Sequence, residues 1–350
     1  MRKYFSITII LLAGLAIFLT GCEKKEEMAG SSAPATANTL KTIKDRGFLK
    51  CGIAQQLPGF AYADEAGKFS GFDVDFCRGL GAAVGVDVKF FPLSAKERFP
   101  ALQSGEVDVL FRNTTWTFSR DVNLGFDFVG VNYYDGQGFM VRKKTGITSA
   151  KGLNGATVCV NTGTTTELNL ADYFRANNMK YKPVLFEKAE EVRKAYEAGR
   201  CDVHTTDASG LAAQRSAMAD PKEHRILPEI ISKEPLGPAV RHGDNNWGDV
   251  VRWVLNAHLV AEEKGITAAN VSDTAANSTD PEVQRMLGKT GSLGQDLGVG
   301  ADFAAKAIAA VGNYGEIFER NVGAETPLAL GRGQNALWSN GGLQYAPPFR

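Results

Sequence analysis

Two halves of this 350-residue chain repeat the same alternation of short apolar strands and helical segments. In the first half, the pattern predicts strands at 49–53, 88–91 and 107–111, a helix at 71–84, and a helical turn that starts at 99. In the second half, it predicts strands at 156–160, 184–186 and 201–205, and helices at 167–177 and 190–198. A β-α-β-α-β order is typical of an open sheet with helices on both faces. The sequence therefore predicts an α/β protein of two lobes, each with an open, mostly parallel sheet flanked by helices.

The chain is expected to cross between the two lobes twice. Uncharged segments that connect the two repeats predict an outward crossing at 136–141 and a return at 236–240. Two such crossings act as hinge strands, and a ligand cleft is expected where loops leave the strands of both lobes. The resulting boundaries place lobe one at 40–137 and 238–350, and lobe two at 138–237.

The part of the chain after the return crossing is assigned to lobe one. An amphipathic pattern predicts a helix at 247–264 that packs back onto this lobe. Residues 265–350 mix helix-like stretches, such as 301–311, with glycine-rich turns. They are treated as a C-terminal extension whose fold the pattern does not predict.

The N-terminal segment has the features of an export signal. Arg2 and Lys3 precede an uncharged, mostly apolar run at 7–19, which is short for a membrane-spanning helix. The run leads into Leu19-Thr20-Gly21-Cys22, which resembles the lipobox of bacterial lipoproteins; a cleaved signal with an incidental cysteine is the alternative. We expect a periplasmic protein, or one at the outer face of the cell membrane, with a lipid anchor at Cys22. The signal peptide would be 1–21, and 22–39 would be the lipidated cysteine and a flexible tether.

Export makes disulfide bonds possible for the four remaining cysteines. Four cysteines allow three pairings. The spacing favours Cys51 with Cys77 and Cys159 with Cys201, one bridge in each lobe, and four buried thiols are the alternative. In a sheet of strand order 2-1-3, the first and third strands of lobe two are neighbours, which suits the Cys159–Cys201 pair.

The composition and motifs exclude several classes of function. Thirty-nine basic residues balance 39 acidic ones, which argues against a nucleic-acid binder. Gly288-Lys289-Thr290 lacks the glycine that a P-loop needs at position 283, and no H-E-x-x-H or G-x-S-x-G motif occurs. The four histidines are scattered and no C-x-x-C motif is present, so neither a metal nor a cofactor is expected.

Polar residues that follow the predicted strands indicate a site for an α-amino acid. Asn113, Thr115 and Thr117 share one face of an extended segment, and Arg120 follows, which suits a carboxylate. In lobe two, the Thr164-x-x-Glu167 spacing predicts a capped helix whose N-terminus favours an anion. Asp207 ends a strand, where its carboxylate can meet an ammonium group. The alternatives are a surface arginine, an ordinary capped helix, and an Asp207 that only caps the next helix.

The segment 71–84 (G-F-D-V-D-F-C-R-G-L-G-A-A-V) resembles the signature of family 3 of the bacterial extracellular solute-binding proteins. This resemblance covers about 40–260. Stretches such as N-T-T-W-T-F-S-R-D at 113–121 and V-G-N-Y-G-E-I-F-E-R-N-V-G at 311–323 look closely like the general L-amino acid-binding subfamily, over nearly all of the mature chain. The resemblance implies a periplasmic-binding-protein-like fold and a broad-specificity amino acid receptor that serves the membrane permease of an ABC importer. It also implies that Cys159 and Cys201 are a regular feature.

The resemblance also implies roles for individual residues. Arg120 and Thr115 would bind the ligand carboxylate, with Thr165 and the adjoining Gly163 in lobe two. Asn113, through its carbonyl, and Asp207 would bind the ammonium group. An aromatic residue, Phe60, would line the pocket. Four further residues are close in sequence to the cleft loops and are expected to tune the choice of side chain: Lys96, Arg98, Asn161 and Thr206. Either of the first two would favour acidic or amide ligands, and a solvated helix start is the alternative.

A binding protein, expected to be a monomer, is therefore preferred over two rivals. A dehydratase-like enzyme on the same fold would need an acid or base above a leaving group, and the amino acid clamp argues against it. A sensory module would need a transmembrane segment and a signalling domain, which the sequence is not expected to supply. Gln55-Gln56-Leu57-Pro58-Gly59 replaces the acidic or aromatic run of basic amino acid binders, which disfavours lysine and arginine as main ligands.

Overall fold

The computed structural model describes residues 38–350, and its elements are numbered in chain order. The strands are β1 (Phe48–Ala54), β2 (Tyr62–Ala63), β3 (Phe69–Ser70), β4 (Asp87–Leu93), β5 (Val109–Leu110), β6 (Phe126–Phe128), β7 (Tyr133–Asp135), β8 (Gln137–Arg142), β9 (Thr157–Asn161), β10 (Lys182–Phe186), β11 (Val203–Asp207), β12 (His224–Ile226), β13 (Glu234–Leu236) and β14 (Ala239–Arg241). The helices are α1 (Thr39–Arg46), α2 (Phe72–Val84), α3 (Arg98–Ser104), α4 (Thr165–Ala176), α5 (Ala189–Glu197), α6 (Ala208–Ser216), α7 (Asn245–Glu263), α8 (Val271–Asn277), α9 (Pro281–Met286), α10 (Leu293–Leu297), α11 (Phe303–Val311) and α12 (Tyr314–Asn321). The predicted signal peptide and Cys22 lie outside the described residues. Within 38–350, no helix has both the length and the apolar character needed to cross a bilayer.

Each lobe is built on a five-stranded sheet, with the order β4-β1-β5-β14-β6 in lobe one and β10-β9-β11-β8-β12 in lobe two. In lobe one, β1 runs parallel to β4 and β5, whereas β14 runs antiparallel to β5 and β6. Lobe two repeats this scheme, with β9 parallel to β10 and β11, and β8 antiparallel to β11 and β12. The sheets are therefore mixed rather than mostly parallel. Helical crossovers keep the three repeat strands parallel, while β8 and β14 enter directly from the other lobe and run in the opposite direction.

The hinge consists of two short strands, β7 and β13, which pair antiparallel with Glu234 opposite Asp135. β7 ends directly before the predicted crossing at 136–141, and β13 overlaps the start of the predicted return at 236–240. The apolar run at 136–141 belongs instead to β8, which is buried in the lobe-two sheet. Thr115 of lobe one adds an isolated bridge to Leu236, so the hinge lies against the loop that follows β5.

The C-terminal extension packs on lobe one and on the hinge. Buried residues of α11, such as Ala304 and Ile308, belong to the same core as α2. The hydroxyl of Tyr314 in α12 donates to the carbonyl of Asn132 at 2.8 Å. Asn335 accepts from the N–H of Tyr134 at 2.6 Å and donates to its carbonyl at 3.0 Å. The extension thus contacts β7 directly.

Both predicted disulfide bonds are present. Cys51 on β1 joins Cys77 on α2, with Cα atoms 6.2 Å apart. Cys159 on β9 joins Cys201, which precedes the neighbouring strand β11, with Cα atoms 5.6 Å apart. The lobe-two sheet has the predicted 2-1-3 order for β10-β9-β11, and this order brings the second pair together.

Candidate ligand-binding site

A cavity of about 60 Å³ lies between the two lobes, beside the loops that leave β1, β5, β9 and β11. The lobes are in contact around it, since the hydroxyl oxygens of Thr115 and Thr165 are 3.5 Å apart. Of the residues predicted to bind a ligand, seven line this cavity: Arg98, Asn113, Thr115, Asn161, Thr165, Thr206 and Asp207. Four others do not line it: Phe60, Lys96, Arg120 and Gly163.

Asn113 is held in a left-handed conformation, with φ of +35°. Its N–H donates to the Asp73 carboxylate at 3.1 Å, and Asn132 donates to the other oxygen of that carboxylate at 3.4 Å. Burial raises the pKa of Asp73 to about 7, although these hydrogen bonds and the nearby Arg112 oppose the shift. The side-chain carbonyl of Asn113 accepts from Arg112 at 3.1 Å. An amide oxygen has two lone pairs, so this carbonyl can still accept from an ammonium group.

Arg112 lines the cavity, yet the sequence pattern did not identify it. In a regular strand Arg112 would face away from Asn113 and Thr115. The left-handed turn at Asn113 breaks this alternation and brings the guanidinium into the site. Its Nε donates to the carbonyl of Leu93 at 3.0 Å, and burial lowers its pKa to about 10. Thr117, predicted to share the ligand face, instead accepts the N–H of Arg120 at 3.3 Å.

Arg98 and Arg120 pack on the same aromatic ring. Their guanidinium carbons lie 4.9 Å and 5.1 Å from the ring centre of Phe99. Arg120 is buried at the π-helical turn Ser119–Asn123, where its Nη1 donates to the carbonyl of Thr115 at 2.8 Å. Burial lowers the pKa of Arg120 to about 10, and Glu234 and Asp207 oppose the shift.

Arg98 is 3% exposed, and its Nε has no hydrogen-bond partner among residues 38–350. Burial and the two neighbouring arginines, Arg120 and Arg112, lower its pKa. Asp207 and Glu234 act in the opposite direction. A buried guanidinium with an unused donor in a cavity wall is a suitable partner for an anionic or amide oxygen.

Asp207 faces these arginines from lobe two. Burial raises its pKa well above the ordinary value, and the carboxylates of Asp135 and Glu234 raise it further. Arg98 and a hydrogen bond from the side chain of Asn113 act in the opposite direction. Asp207 occupies the N-cap position of α6, but its side chain makes no capping hydrogen bond. Asp135 instead accepts the hydroxyl of Ser209 in the first turn of α6 at 2.5 Å. The carboxylate of Asp207 therefore lies on the cavity wall and has no capping role.

The start of α4 carries the predicted capping box in a modified form. The hydroxyl of Thr164 accepts the N–H of Glu167 at 3.2 Å, and Glu167 in turn accepts the N–H of Gly163 at 3.1 Å. Gly163 has φ of +72°, and a Cβ there would stand 3.6 Å from the Cα of Lys96 in lobe one. Gly163 thus lies at the contact between the lobes, while Thr165 reaches the cavity.

Asn161 and Thr206 complete the lobe-two wall. The side-chain amide of Asn161 donates to the carbonyls of Phe186 at 3.4 Å and Glu187 at 3.3 Å. These contacts leave its side-chain oxygen for a ligand.

Phe60 lies away from the cavity, in the core of lobe one. Its ring is 1% exposed and packs edge-on against Phe72 and Tyr133. Leu57 and Ala61 form an isolated bridge around this position, so the tight turn between them directs the ring inward.

The chain matches the model of the bacterial extracellular solute-binding proteins, family 3, over residues 49–273. The chain belongs to this family. The resemblance predicted from segment 71–84 is confirmed. The general L-amino acid-binding periplasmic protein AapJ of Rhizobium johnstonii is 57% identical over 328 residues, which cover 92% of this chain and 96% of the relative. This likeness confirms the predicted resemblance to the general L-amino acid-binding subfamily.

Two further relatives extend the comparison. The glutamate/glutamine/aspartate/asparagine-binding protein BztA of Rhodobacter capsulatus is 58% identical over 319 residues, which cover 90% of this chain and 94% of the relative. Among solved structures, an ABC transporter periplasmic binding protein from Brucella ovis with glutathione bound is 58% identical, with a TM-score of 0.88. That match covers 90% of this chain and 100% of the other. The predicted two-lobed, periplasmic-binding-protein-like fold is confirmed.

Proposed function

We propose that this protein is the extracytoplasmic substrate-binding component of an amino acid ABC importer. It binds a free L-amino acid between the lobes and delivers it to the membrane permease. The observation that carries this proposal is that buried arginines of lobe one and the carboxylate of Asp207 in lobe two line the same cavity. An α-amino acid presents a carboxylate and an ammonium group to such a pair, and each charge then finds a partner of opposite sign.

The main groups of the ligand are assigned as follows. Arg120 binds the α-carboxylate, together with Thr115 and with Thr165 beside Gly163 at the N-terminus of α4. Asp207 and the carbonyl of Asn113 bind the ammonium group. Arg120 does not line the cavity, but its Nη1 donates to the carbonyl of Thr115, which does. The assignment therefore requires the ligand to approach a buried guanidinium.

The side chain of the ligand is assigned to a wall with basic character. Arg98 and Arg112 supply guanidinium groups there, and Asn161 and Thr206 add polar atoms. This chemistry favours glutamate, aspartate and their amides within a broad range of ligands. The name of BztA, which lists these four amino acids, supports the assignment.

Calorimetry of ligand-stripped protein against the twenty amino acids tests this function. We expect binding of several amino acids, with acidic and amide ligands among the tightest. Arg98→Gln should change the ranking among ligands without abolishing binding. A parent protein that binds no amino acid would contradict the proposal. Recovering the ligand chemically unchanged after long incubation would separate a receptor from an enzyme on the same fold.

Glutathione is a second candidate ligand. A cavity of about 260 Å³ adjoins the first and shares Gln55 and Ala189 with it, and Gln56 and Lys188 lie on its wall. A γ-glutamyl group held in the first cavity could extend its peptide into this space. The glutathione-bound relative from Brucella ovis supports the idea. Titration with glutathione tests it, and Lys188→Ala should weaken glutathione more than glutamate; equal effects on both would argue against the extended site.

We also propose export and lipid anchoring at Cys22, with the mature chain acting as a monomer in the periplasm or at the outer face of the membrane. The apolar run that ends at Leu19-Thr20-Gly21-Cys22 supports this. Mass spectrometry of the membrane-extracted protein should find a mature chain that begins with an acylated Cys22. A mature chain that begins elsewhere would refute the anchor.

A further inference from the structure

Glu234 is a buried carboxylate at the start of the hinge strand β13, and it has no role in the proposed ligand contacts. It is 1% exposed and accepts four hydrogen bonds, all from uncharged side chains. The donors are Thr115 at 2.5 Å, Ser232 at 2.6 Å, Asn169 at 2.7 Å and Thr165 at 3.0 Å. No sequence pattern indicates this residue, because the segment around it predicts only a crossing between the lobes.

The two oxygens of Glu234 have different partners. Oε1 accepts from Ser232 on the connecting segment and from Asn169 on α4, which fix the side chain to lobe two. Oε2 accepts the hydroxyls of Thr115 from lobe one and Thr165 from lobe two. One oxygen of a hinge residue thus joins the two hydroxyls that lie on opposite walls of the cavity.

A hydroxyl has a single proton to donate. A nearby carboxylate is a strong acceptor, so the protons of Thr115 and Thr165 are directed to Glu234 and away from the ligand. Toward the cavity, both hydroxyls then present lone pairs. The backbone N–H groups of the same two residues have no acceptor within residues 38–350. A ligand carboxylate can bind these N–H groups, and a ligand ammonium group can donate to the hydroxyl oxygens.

We propose that Glu234 is a positioning residue for ligand binding. Its Oε2 accepts from the hydroxyls of Thr115 and Thr165, so that the two hydroxyl oxygens act as acceptors toward the ligand. The N–H groups of the two threonines then bind the ligand carboxylate. This inference rests on the proposed amino acid site. It predicts that Glu234 acts through the two threonines and not by touching the ligand. It also predicts that the negative charge matters less than the acceptor oxygen.

The test compares Glu234→Met with Glu234→Gln by calorimetry with L-glutamate and L-glutamine. The methionine has a similar length but no acceptor, and we expect about a ten- to a hundredfold loss of affinity for both ligands. The glutamine keeps an acceptor oxygen for the two threonines. Its NH₂ can donate to Ser232 Oγ and, once the side-chain amide of Asn169 has flipped, to Asn169 Oδ1. It should therefore restore most of the affinity. Glu229→Met is the matched control, since Glu229 accepts from Ser149 and does not line the cavity.

A double-mutant cycle separates positioning from general structural support. Because Glu234 acts through both hydroxyls, Glu234→Met should add little to the loss already caused by replacing Thr115 and Thr165 together by valine. Additive losses, equal affinity of Glu234→Met and the parent, or no rescue by Glu234→Gln would each overturn the proposal. Tighter binding by Glu234→Met would show instead that the carboxylate competes with the ligand. The cycle requires a parent protein that binds glutamate. Failure of this proposal is therefore distinct from failure of the proposed function, in which the parent protein binds no amino acid.

Discussion

Replacing Arg120 by alanine is expected to weaken the binding of every amino acid that the parent protein binds. Arg120 is assigned to the α-carboxylate, which all these ligands share. A hydrogen bond to a charged group contributes about 1.5–3 kcal/mol. At about 1.4 kcal/mol per factor of ten, this predicts about a tenfold to a few hundredfold loss of affinity. The loss of the bond from Nη1 to the carbonyl of Thr115 also loosens the loop that carries Thr115, so the upper end of this range is expected.

Arg98 provides a matched control for Arg120. Both guanidinium groups pack on the ring of Phe99 and both are buried, so replacing either one removes similar packing. Only Arg120 is assigned to the shared carboxylate, whereas Arg98 is assigned to the ligand side chain. Arg98→Ala should therefore weaken glutamate more than ligands with short apolar side chains, while Arg120→Ala should weaken all of them to a similar degree.

Isothermal calorimetry on refolded, ligand-stripped protein provides the comparison. Thermal unfolding of each variant without ligand checks that the fold is kept. If Arg120→Ala binds as tightly as the parent, or loses only one ligand, the carboxylate has been assigned to the wrong residue. A uniform loss in Arg98→Ala, with selectivity lost in Arg120→Ala, would mean that the two roles are exchanged.

Three further changes test the fold and the cleft. Replacing Cys159 and Cys201 by serine should lower the unfolding free energy by about 4 kcal/mol, because the bridge closes a loop of 42 residues; denaturant unfolding measures this. Gly163→Ala and Gly146→Ala, both at φ of +72°, should each lose about 1–2 kcal/mol of stability, but only Gly163→Ala should weaken ligand binding. Asp73→Asn should remove a pH dependence of stability. The pKa of Asp73 in the folded protein is about 7, above its ordinary value of 3.8. The free energy of unfolding of the parent should therefore fall by up to about 4 kcal/mol as the pH rises from about 4 to 7.

A specific result would contradict each of these expectations. Unchanged stability of the double serine variant would mean that the bridge does not constrain the unfolded chain. Equal loss of ligand affinity in both glycine variants would remove the special role of the contact between Gly163 and Lys96. If Asp73→Asn and the parent show the same stability profile between pH 4 and 8, the buried carboxyl of Asp73 does not titrate in this range.

The parts of the molecule that were predicted from the sequence depend on local patterns. The helix at 71–84 was recognised because Phe72, Phe76 and Leu80 recur at helical spacing, and all three are buried as that spacing requires. The Cys159–Cys201 pair followed from the strand order that a β-α-β-α-β repeat adopts. Seven of the suggested ligand residues line one cavity because strand ends of both lobes meet there.

The features that sequence reasoning missed depend on long-range contacts or on unusual backbone geometry. Glu234 lies 119 residues from Thr115, and no local pattern indicates that a crossing segment will place a carboxylate beneath that hydroxyl. Arg112 reaches the cavity only because the chain turns at Asn113. Phe60 was expected in the pocket, and its inward direction depends on the short bridge between Leu57 and Ala61.

The contact between Asn335 and Tyr134 protects the hinge from unwanted pairing. The ribbon of β7 and β13 is covered on one side by the loop at Thr115, so the outer side of β7 is an edge with unpaired backbone groups. The side-chain amide of Asn335 satisfies the N–H and the carbonyl of Tyr134 together, as a neighbouring strand would. A strand edge whose backbone groups have no such partner is a template for association with other chains. A chain shortened before Asn335 would therefore tend to exchange hinge strands between molecules or to aggregate, even if its amino acid site were intact.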